Sequence, residues 1–352
     1  MIQEAIARVV QREDLAEDAV RAVMQEIMDG RTTPSQIASL ITALRMKGET
    51  VVEITAAARV MRERATAIPW EDAEGRANPP GRACERLLVD TCGTGGDQTH
   101  TFNISTAAAF VVAGAGVPVA KHGNRSVSSS CGSADVCEAL GINLHLSPER
   151  VGLCIRRCGL GFLYAPSLHP AMKHAVIPRR EIGIRTIFNV LGPLTNPAGA
   201  TVQVVGVYRK GLTRLVAAAL RELGCRRALV VHGADGMDEI TTAGETFVCE
   251  LIAGEVREDT LHPSAFGIPV SSASDLRGAA AESNARLILD VLQGHPGPRR
   301  DVVLLNAGAA LYAAGAALGL TEGIEMARDS IDRGLGLAKL RQIVEFTQAA
   351  AQ

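Results

Sequence analysis

Two donor-rich stretches and one acidic turn carry the residues of this sequence best suited to chemistry. The first is Asp90-Thr91-Cys92-Gly93-Thr94-Gly95-Gly96-Asp97. Glycines at 93, 95 and 96 let a backbone approach a ligand closely and aim N–H groups into a concave anion site. A predicted helix then begins at Asn103-Ile104-Ser105-Thr106, where free N–H groups and the positive helix end favour a phosphate. No Gly-Lys-[Ser/Thr] closes the loop and the spacing is not G-x-G-x-x-G, so neither a Walker loop nor a dinucleotide fingerprint is present. A Gly-rich turn without a ligand is the alternative.

The second stretch runs from Lys121-His122-Gly123-Asn124-Arg125 through Ser126-Val127-Ser128-Ser129-Ser130 to Ser133. Such a density of cations, amide and hydroxyls suits an anion with several oxygens, whereas an ordinary solvated loop mixes in acids. The third feature is Asp235-Gly236-Met237-Asp238-Glu239. Adjacent carboxylates in a turn can face one point, and magnesium prefers such hard oxygen donors while keeping positions for water and phosphate. Solvated acids of a capped turn are the bland reading. Further on lie His169, Lys173 and His174, then Arg179, Arg180 and Arg185. An arginine beside a cleft suits a planar carboxylate, but arginines are as often structural, and spacing does not choose among these three.

These residues need a frame. Helical periodicity covers the first seventy residues: Asp14 is a candidate cap for a helix ending at Gly30, Thr33-Pro34 opens another, and Thr50 with Glu53 forms a capping box. Residues 71–86 are polar and rich in Pro and Gly, a connector. Short apolar strands are predicted at 87–90, 117–120, 202–208 and 228–232, alternating with helices, and the tail from 282 to 349 reads as helices. The fold class is therefore α/β: a small all-helical N-terminal domain (1–70, joined in space by about 169–193), then a larger α/β domain (87–352). Its central, mostly parallel sheet is flanked by helices. Both donor stretches leave the same ends of neighbouring strands, where open α/β sheets bind ligands.

Composition narrows the function. The formal charge is −2 with no basic arm, which gives no support to nucleic-acid binding. The N-terminus lacks the pattern of a signal peptide, and the apolar stretches are too short and interrupted to span a bilayer. The eight cysteines form no C-x-x-C pair and read as reduced, mostly buried thiols. A cytoplasmic location is expected.

Taken together and in order, GTGGD at 93–97, NIST at 103–106, KHGNRSVSSSCGSAD at 121–135, HPAMK at 169–173, RTIFNVLGPLTNPA at 185–198 and DGMDE at 235–239 resemble the anthranilate phosphoribosyltransferase family. The likeness extends into the tail at 284–292 and 304–315, nearly the whole chain. It implies transfer of the phosphoribosyl group of phosphoribosyl pyrophosphate (PRPP) to the amine of anthranilate, in tryptophan biosynthesis, by a cytoplasmic homodimer paired through its helical domains. It implies PRPP binding by Gly93, Gly96, Asp97, Thr101, Asn103, Ile104, Ser105, Thr106, Lys121, His122, Gly123, Asn124, Arg125, Ser126, Val127, Ser128, Ser129 and Ser133. Magnesium, two ions per active site, falls to Ser105, Asp238 and Glu239. Anthranilate falls to Gly93, Asn124 and Arg179, with Pro178 standing beside Arg179 where a helix-compatible residue is expected. No general base is implied; His122 is a candidate. A pyrimidine nucleoside phosphorylase of the same fold and a non-catalytic relative that binds nucleic acid are the alternatives, although such a phosphorylase has an added C-terminal domain and different loops.

Overall fold

The structure, a computed structural model, describes residues 1–71, 87–125 and 131–349. Helices α1 (Ile2–Val10), α2 (Glu17–Met28), α3 (Pro34–Lys47) and α4 (Val51–Arg64) form an N-terminal bundle. Two of them start on capping boxes: Thr33 Oγ1 accepts the Gln36 N–H at 3.2 Å, and Thr50 Oγ1 accepts the Glu53 N–H at 3.2 Å. Glu53 also reaches across the bundle. Fully buried, it accepts the Leu15 N–H at 2.9 Å and the Lys47 ammonium at 2.9 Å. Asp14 is not the expected cap. The helix begins at Glu17 on Ala16, and Asp14 pairs with Lys47 at 2.7 Å instead.

Strands β1 (Val89–Gly93), β2 (Val119–Gly123), β3 (Leu160–Tyr164), β4 (Val202–Gly206), β5 (Arg227–Gly233), β6 (Thr246–Ile252) and β7 (Glu255–Leu261) make one sheet, ordered 3-2-1-4-5-6-7. The first five are parallel, whereas β6 and β7 run antiparallel. Chain patterning did not reveal β3, β6 or β7. The last reads EVREDTL and is mostly exposed; it is the edge strand of the sheet, and its charges discourage further pairing there.

Side chains alternate across the sheet with a period of two. Val202 and Val204 of β4 join one core with α5 (Ile104–Gly114), while Val205 joins the other. The first face carries α6 (Ser133–Ala139), α7 (Pro148–Cys158), α12 (Ala281–Leu292), α13 (Pro298–Ala313), α14 (Leu320–Asp332) and α15 (Leu335–Ala349) beside α5. Almost every residue of α5 is buried, as expected for a helix covered all round. The opposite face packs on α11 (Thr213–Glu222) and on the N-terminal bundle. A short α8 (Ala165–Leu168) leads into α9 (Lys173–Ile182) and α10 (Ile187–Leu191), which contact α2, α3 and α4. Helix α9 runs through the buried Pro178 and ends at Gly183, which is left-handed at φ 64. Chain connections diverge between the adjacent β1 and β4, and a crevice opens at the carboxyl ends of such strands. The seven described cysteines are buried, and no disulfide joins two of them.

Candidate active site

β1 delivers the Gly-rich turn to that crevice. Gly95 and Gly96 sit at φ 65 and 73, and the non-glycine residues Gln98 and His100 follow at φ 64 and 55. Left-handed backbone costs a non-glycine residue about 1–3 kcal/mol and clusters at functional sites. The Gly95 N–H donates to Asp238 Oδ2 at 2.8 Å, so the turn is fastened to the acidic segment after β5. Asp97 accepts from the Thr99 hydroxyl and, at 3.5 Å, from the Asp238 N–H.

Lys121, His122 and Gly123 lie on strand β2, not in the loop expected to follow a strand at 117–120. The Lys121 ammonium is tolerated there because it finds partners: buried, it donates to the Thr91 carbonyl and to Ser105 Oγ at 3.3 Å. Beneath them the fully buried Asp90 accepts the His122 N–H at 3.1 Å and the Asn196 amide at 2.8 Å, locking β1 to β2. Arg125 is held elsewhere. Its guanidinium donates to Glu138 at 2.6 and 2.8 Å, to Asp135 at 2.9 Å and to the Tyr164 hydroxyl at 3.1 Å.

The three acids crowd one corner. Burial first, then the charges of Asp97 and Glu239, hold the Asp238 carboxyl well above its ordinary range. Burial pushes Glu239 up to about 7 against the pull of Lys121, while the Ser105 N–H donates to Glu239 Oε1 at 3.2 Å. Such a corner favours an added cation. No group of three or more His, Cys, Asp or Glu side chains able to hold a metal occurs among the described residues. Two carboxylates with a hydroxyl and substrate oxygens still fit magnesium, which retains waters and takes phosphate ligands.

One cavity of about 550 Å³ collects these parts. Its wall includes Gly93, Gly96, Asp97, Thr101, Asn103, Ile104, Ser105, Thr106, Lys121, His122, Gly123, Asn124, Arg125, Ser133, Arg179, Asp238 and Glu239. Ser126, Val127, Ser128 and Ser129 lie outside the described residues. Thr106 Oγ1 is buried with no partner among the described residues, at the start of α5. The Ile104 N–H, by contrast, already donates to the Phe102 carbonyl at 2.8 Å. Asn103 Oδ1 accepts from the buried Asn284 amide at 3.0 Å.

Residues that sequence reasoning did not single out complete the wall: Met61 of the bundle, Met172, Phe188, Asn189 and Thr195. Arg179 stacks over Phe188, its Cζ 5.4 Å from the ring centroid, and makes no hydrogen bond or ion pair among the described residues. Burial lowers its pKa, so an anionic partner would stabilise it. His122 and His169 lie with ring centroids 5.1 Å apart, and both Nε2 atoms are buried without partners among the described residues.

Burial lowers His122 to about 3 and His169 to about 4, so both rings are neutral at physiological pH. The unfolded chain takes up protons near pH 6.5 that the fold refuses. Stability from these groups is therefore full above that pH and is lost as pH falls below it. At pH 5.5 the cost is about 1.4 kcal/mol per ring. Thermal scans should show a smaller drop in melting temperature from pH 7.5 to 5.5 in His169→Gln than in the natural chain; equal drops would contradict the assignment.

The two layers match the two domains of the glycosyl transferase family: its helical bundle domain over residues 3–65 and its a/b domain over residues 85–337. Fold and site thus define a glycosyl transferase. The anthranilate phosphoribosyltransferase of Geobacter sp. (strain M21) is 54% identical over 351 residues, covering 99% of this chain and 100% of the relative. That of Geobacter sulfurreducens is 55% identical, covering 99% of each. Among solved structures, the anthranilate phosphoribosyltransferase of Thermus thermophilus superposes with TM-score 0.88 at 43% identity, covering 98% of this chain and 99% of that one. The Saccharomyces cerevisiae enzyme, in complex with PRPP and Mg, gives 0.87 at 26% identity, covering 99% and 98%. The chain belongs to the anthranilate phosphoribosyltransferase family.

Proposed function

We propose that the chain transfers the 5-phosphoribosyl group of PRPP to the amine of anthranilate, giving N-(5-phosphoribosyl)anthranilate and pyrophosphate, a step of tryptophan biosynthesis. The single observation that carries this reading is the cavity that unites the Gly-rich turn, the Lys121 strand end, the acidic pair and the unpartnered Arg179. Neither the phosphorylase nor the nucleic-acid-binding alternative gains a supporting observation.

In this reading the N–H groups of the turn and of the α5 start, with Ser105, Thr106 and Lys121, bind the phosphates of PRPP. Ser105, Asp238 and Glu239 hold magnesium, two ions per site. Bound there, magnesium offsets the negative charge that grows on departing pyrophosphate. Arg179 receives the anthranilate carboxylate, with Gly93 and Asn124 beside the ring. The amine nitrogen then forms a bond to the anomeric carbon as the carbon–oxygen bond to pyrophosphate breaks, its electrons leaving with pyrophosphate. Holding the two reactants in line is the residues' main contribution, worth ~7–11 kcal/mol in favourable cases. An aromatic amine is already unprotonated at neutral pH, so no strong base is needed. The proton that the new N–C bond releases passes to departing pyrophosphate or water; His122, the one candidate base, is held by burial at a pKa of about 3 and is a weak acceptor.

Arg179→Ala is expected to raise the anthranilate KM about 10- to 100-fold, as loss of a charge-assisted contact does, and to leave the PRPP KM within about threefold. Steady-state kinetics with each substrate varied would show this; an unchanged anthranilate KM would move the acceptor elsewhere. Activity itself is read from anthranilate fluorescence, which should fall only when PRPP and magnesium are both present.

Pairing through the helical domains belongs to the same proposal. It is supported by exposed Met46, Val52, Val176, Ile177 and Ile184, which lie on or beside α3, α4 and α9. So do the division into 1–70, 71–86 and 87–352 and a cytoplasmic location, for which the burial of the seven described cysteines speaks. Among the described residues no helix is long and apolar enough to cross a membrane.

A further inference from the structure

Of the three arginines that sequence spacing left unresolved, Arg185 has an environment that the transferase reading does not use. A Cβ on Gly96 would lie 2.8 Å from Arg185 Nε and 3.4 Å from its Cζ, so the guanidinium is in contact with the backbone of the Gly-rich turn. The same Cζ sits 4.7 Å from the centroid of the Tyr208 ring. Tyr208 in turn donates its N–H to Thr94 Oγ1 at 3.1 Å, and the Thr94 N–H donates to the Gly206 carbonyl at 2.9 Å. These contacts close a circuit that begins at Gly96 and returns to the same turn two residues earlier.

Arg185 does not line the cavity and makes no hydrogen bond or ion pair among the described residues. Its guanidinium thus meets no carboxylate at ion-pair distance among the described residues, and it lies against a turn that lines the cavity. It also lies just past the left-handed end of α9, six positions after Arg179. One short segment thus touches the acceptor side of the cavity through Arg179 and backs the donor side through Arg185.

We propose that Arg185 is a positioning residue for the phosphoribosyl donor: stacked on Tyr208 and pressed against Gly96, it fixes the Gly93–Asp97 turn relative to the arginine that receives the acceptor. The proposal rests on the transferase reading. A planar, weakly hydrated guanidinium can stack on an aromatic ring and lie flat against backbone, which an ammonium cannot do equally well. Gly96 is required on both counts, since its φ of 73 disfavours a side chain and the guanidinium occupies the space one would fill.

The test compares R185M, R185K and Y208L with the natural chain, measuring PRPP KM, anthranilate KM, turnover number and melting temperature. R185M keeps an apolar stem and removes the charge; it should raise the PRPP KM about tenfold. Its anthranilate KM should stay within about twofold and its melting temperature within about 2 °C. R185K should recover part of the loss, and Y208L should reproduce the R185M shift in the two KM values, with a lower melting temperature because Tyr208 is buried in the core. The double variant should then be less impaired than the product of the two single effects, because both break one circuit. A merely structural arginine would instead lower the melting temperature and move both KM values together, and that result overturns the proposal. So does an R185M whose PRPP KM stays within about twofold while the natural chain turns over normally. No product from the natural chain would remove the transferase reading, and the positioning role with it.

Discussion

Replacing Asp238 and Glu239 together by alanine is expected to lower magnesium-dependent turnover on the order of a thousandfold while leaving the fold as stable as before. Both halves follow from one fact. The carboxyls share a corner with Asp97, and burial with mutual repulsion raises their pKa values in the fold. A carboxyl whose folded pKa is raised weighs against stability once pH climbs past its ordinary range, so at neutral pH removing the pair leaves the melting temperature unchanged or higher. The lost bonds from the Gly95 N–H to Asp238 and from the Ser105 N–H to Glu239 work in the other direction, at about 0.5–1.5 kcal/mol each, and offset part of that gain. Adding PRPP with magnesium should raise the melting temperature of the natural chain through mass action and leave that of the double variant where it was. A stable variant that still turns over at about a tenth of the natural rate would show that the acids serve another purpose.

Gly206→Ala should be nearly as damaging by a purely steric route. Gly206 ends β4, paired in register with Gly93 at the end of β1. A Cβ there would fall 1.5 Å from the Asp238 carbonyl oxygen and 2.3 Å from its carbon. Those are backbone atoms, so no rotamer change relieves the clash, and the Asp235–Glu239 turn must move. Overpacking of this kind costs about 1–3 kcal/mol or more. A displacement of about 1 Å in a catalytic constellation costs around a hundredfold in rate. Gly211→Ala is the control, since a Cβ at Gly211 meets nothing within 4 Å. Kinetics and thermal scans on both should give a crippled, destabilised G206A and a normal G211A. A normal G206A would mean that the acidic turn tolerates displacement, contrary to the role given it.

The parts of the site written in short stretches were legible before any coordinates. Glycine at 93, 95 and 96, and Lys121 to Arg125 with Ser133, all in the cavity wall, have local chemistry that can be read without a distant partner. What was not legible depends on contacts between segments far apart in the chain. Met61 reaches the cavity wall from the N-terminal bundle, and Phe188 supports Arg179 only because α9 and α10 fold back onto that bundle. Arg125 reads as a phosphate cation until Glu138 and Asp135 on the next helix are seen to hold it. Likewise Asp14 has the type of a cap, but Lys47 takes its carboxylate. Lys121 and His122 read as loop residues because charged residues rarely continue a buried strand; Thr91 and Ser105 supply the partners that permit Lys121 there. The edge strand β7 lacks alternation because little of it is buried.

Titration of PRPP into the natural chain, once with magnesium and once with a chelator, tests most directly that a single sugar diphosphate is gripped by the glycine turn and the acidic pair together. One binding event per chain is predicted with the metal present, and affinity at least about tenfold weaker without it, as expected when buried carboxylates meet an anion lacking its counter-ion. Equal affinity in both titrations, or no binding in either, would contradict the account.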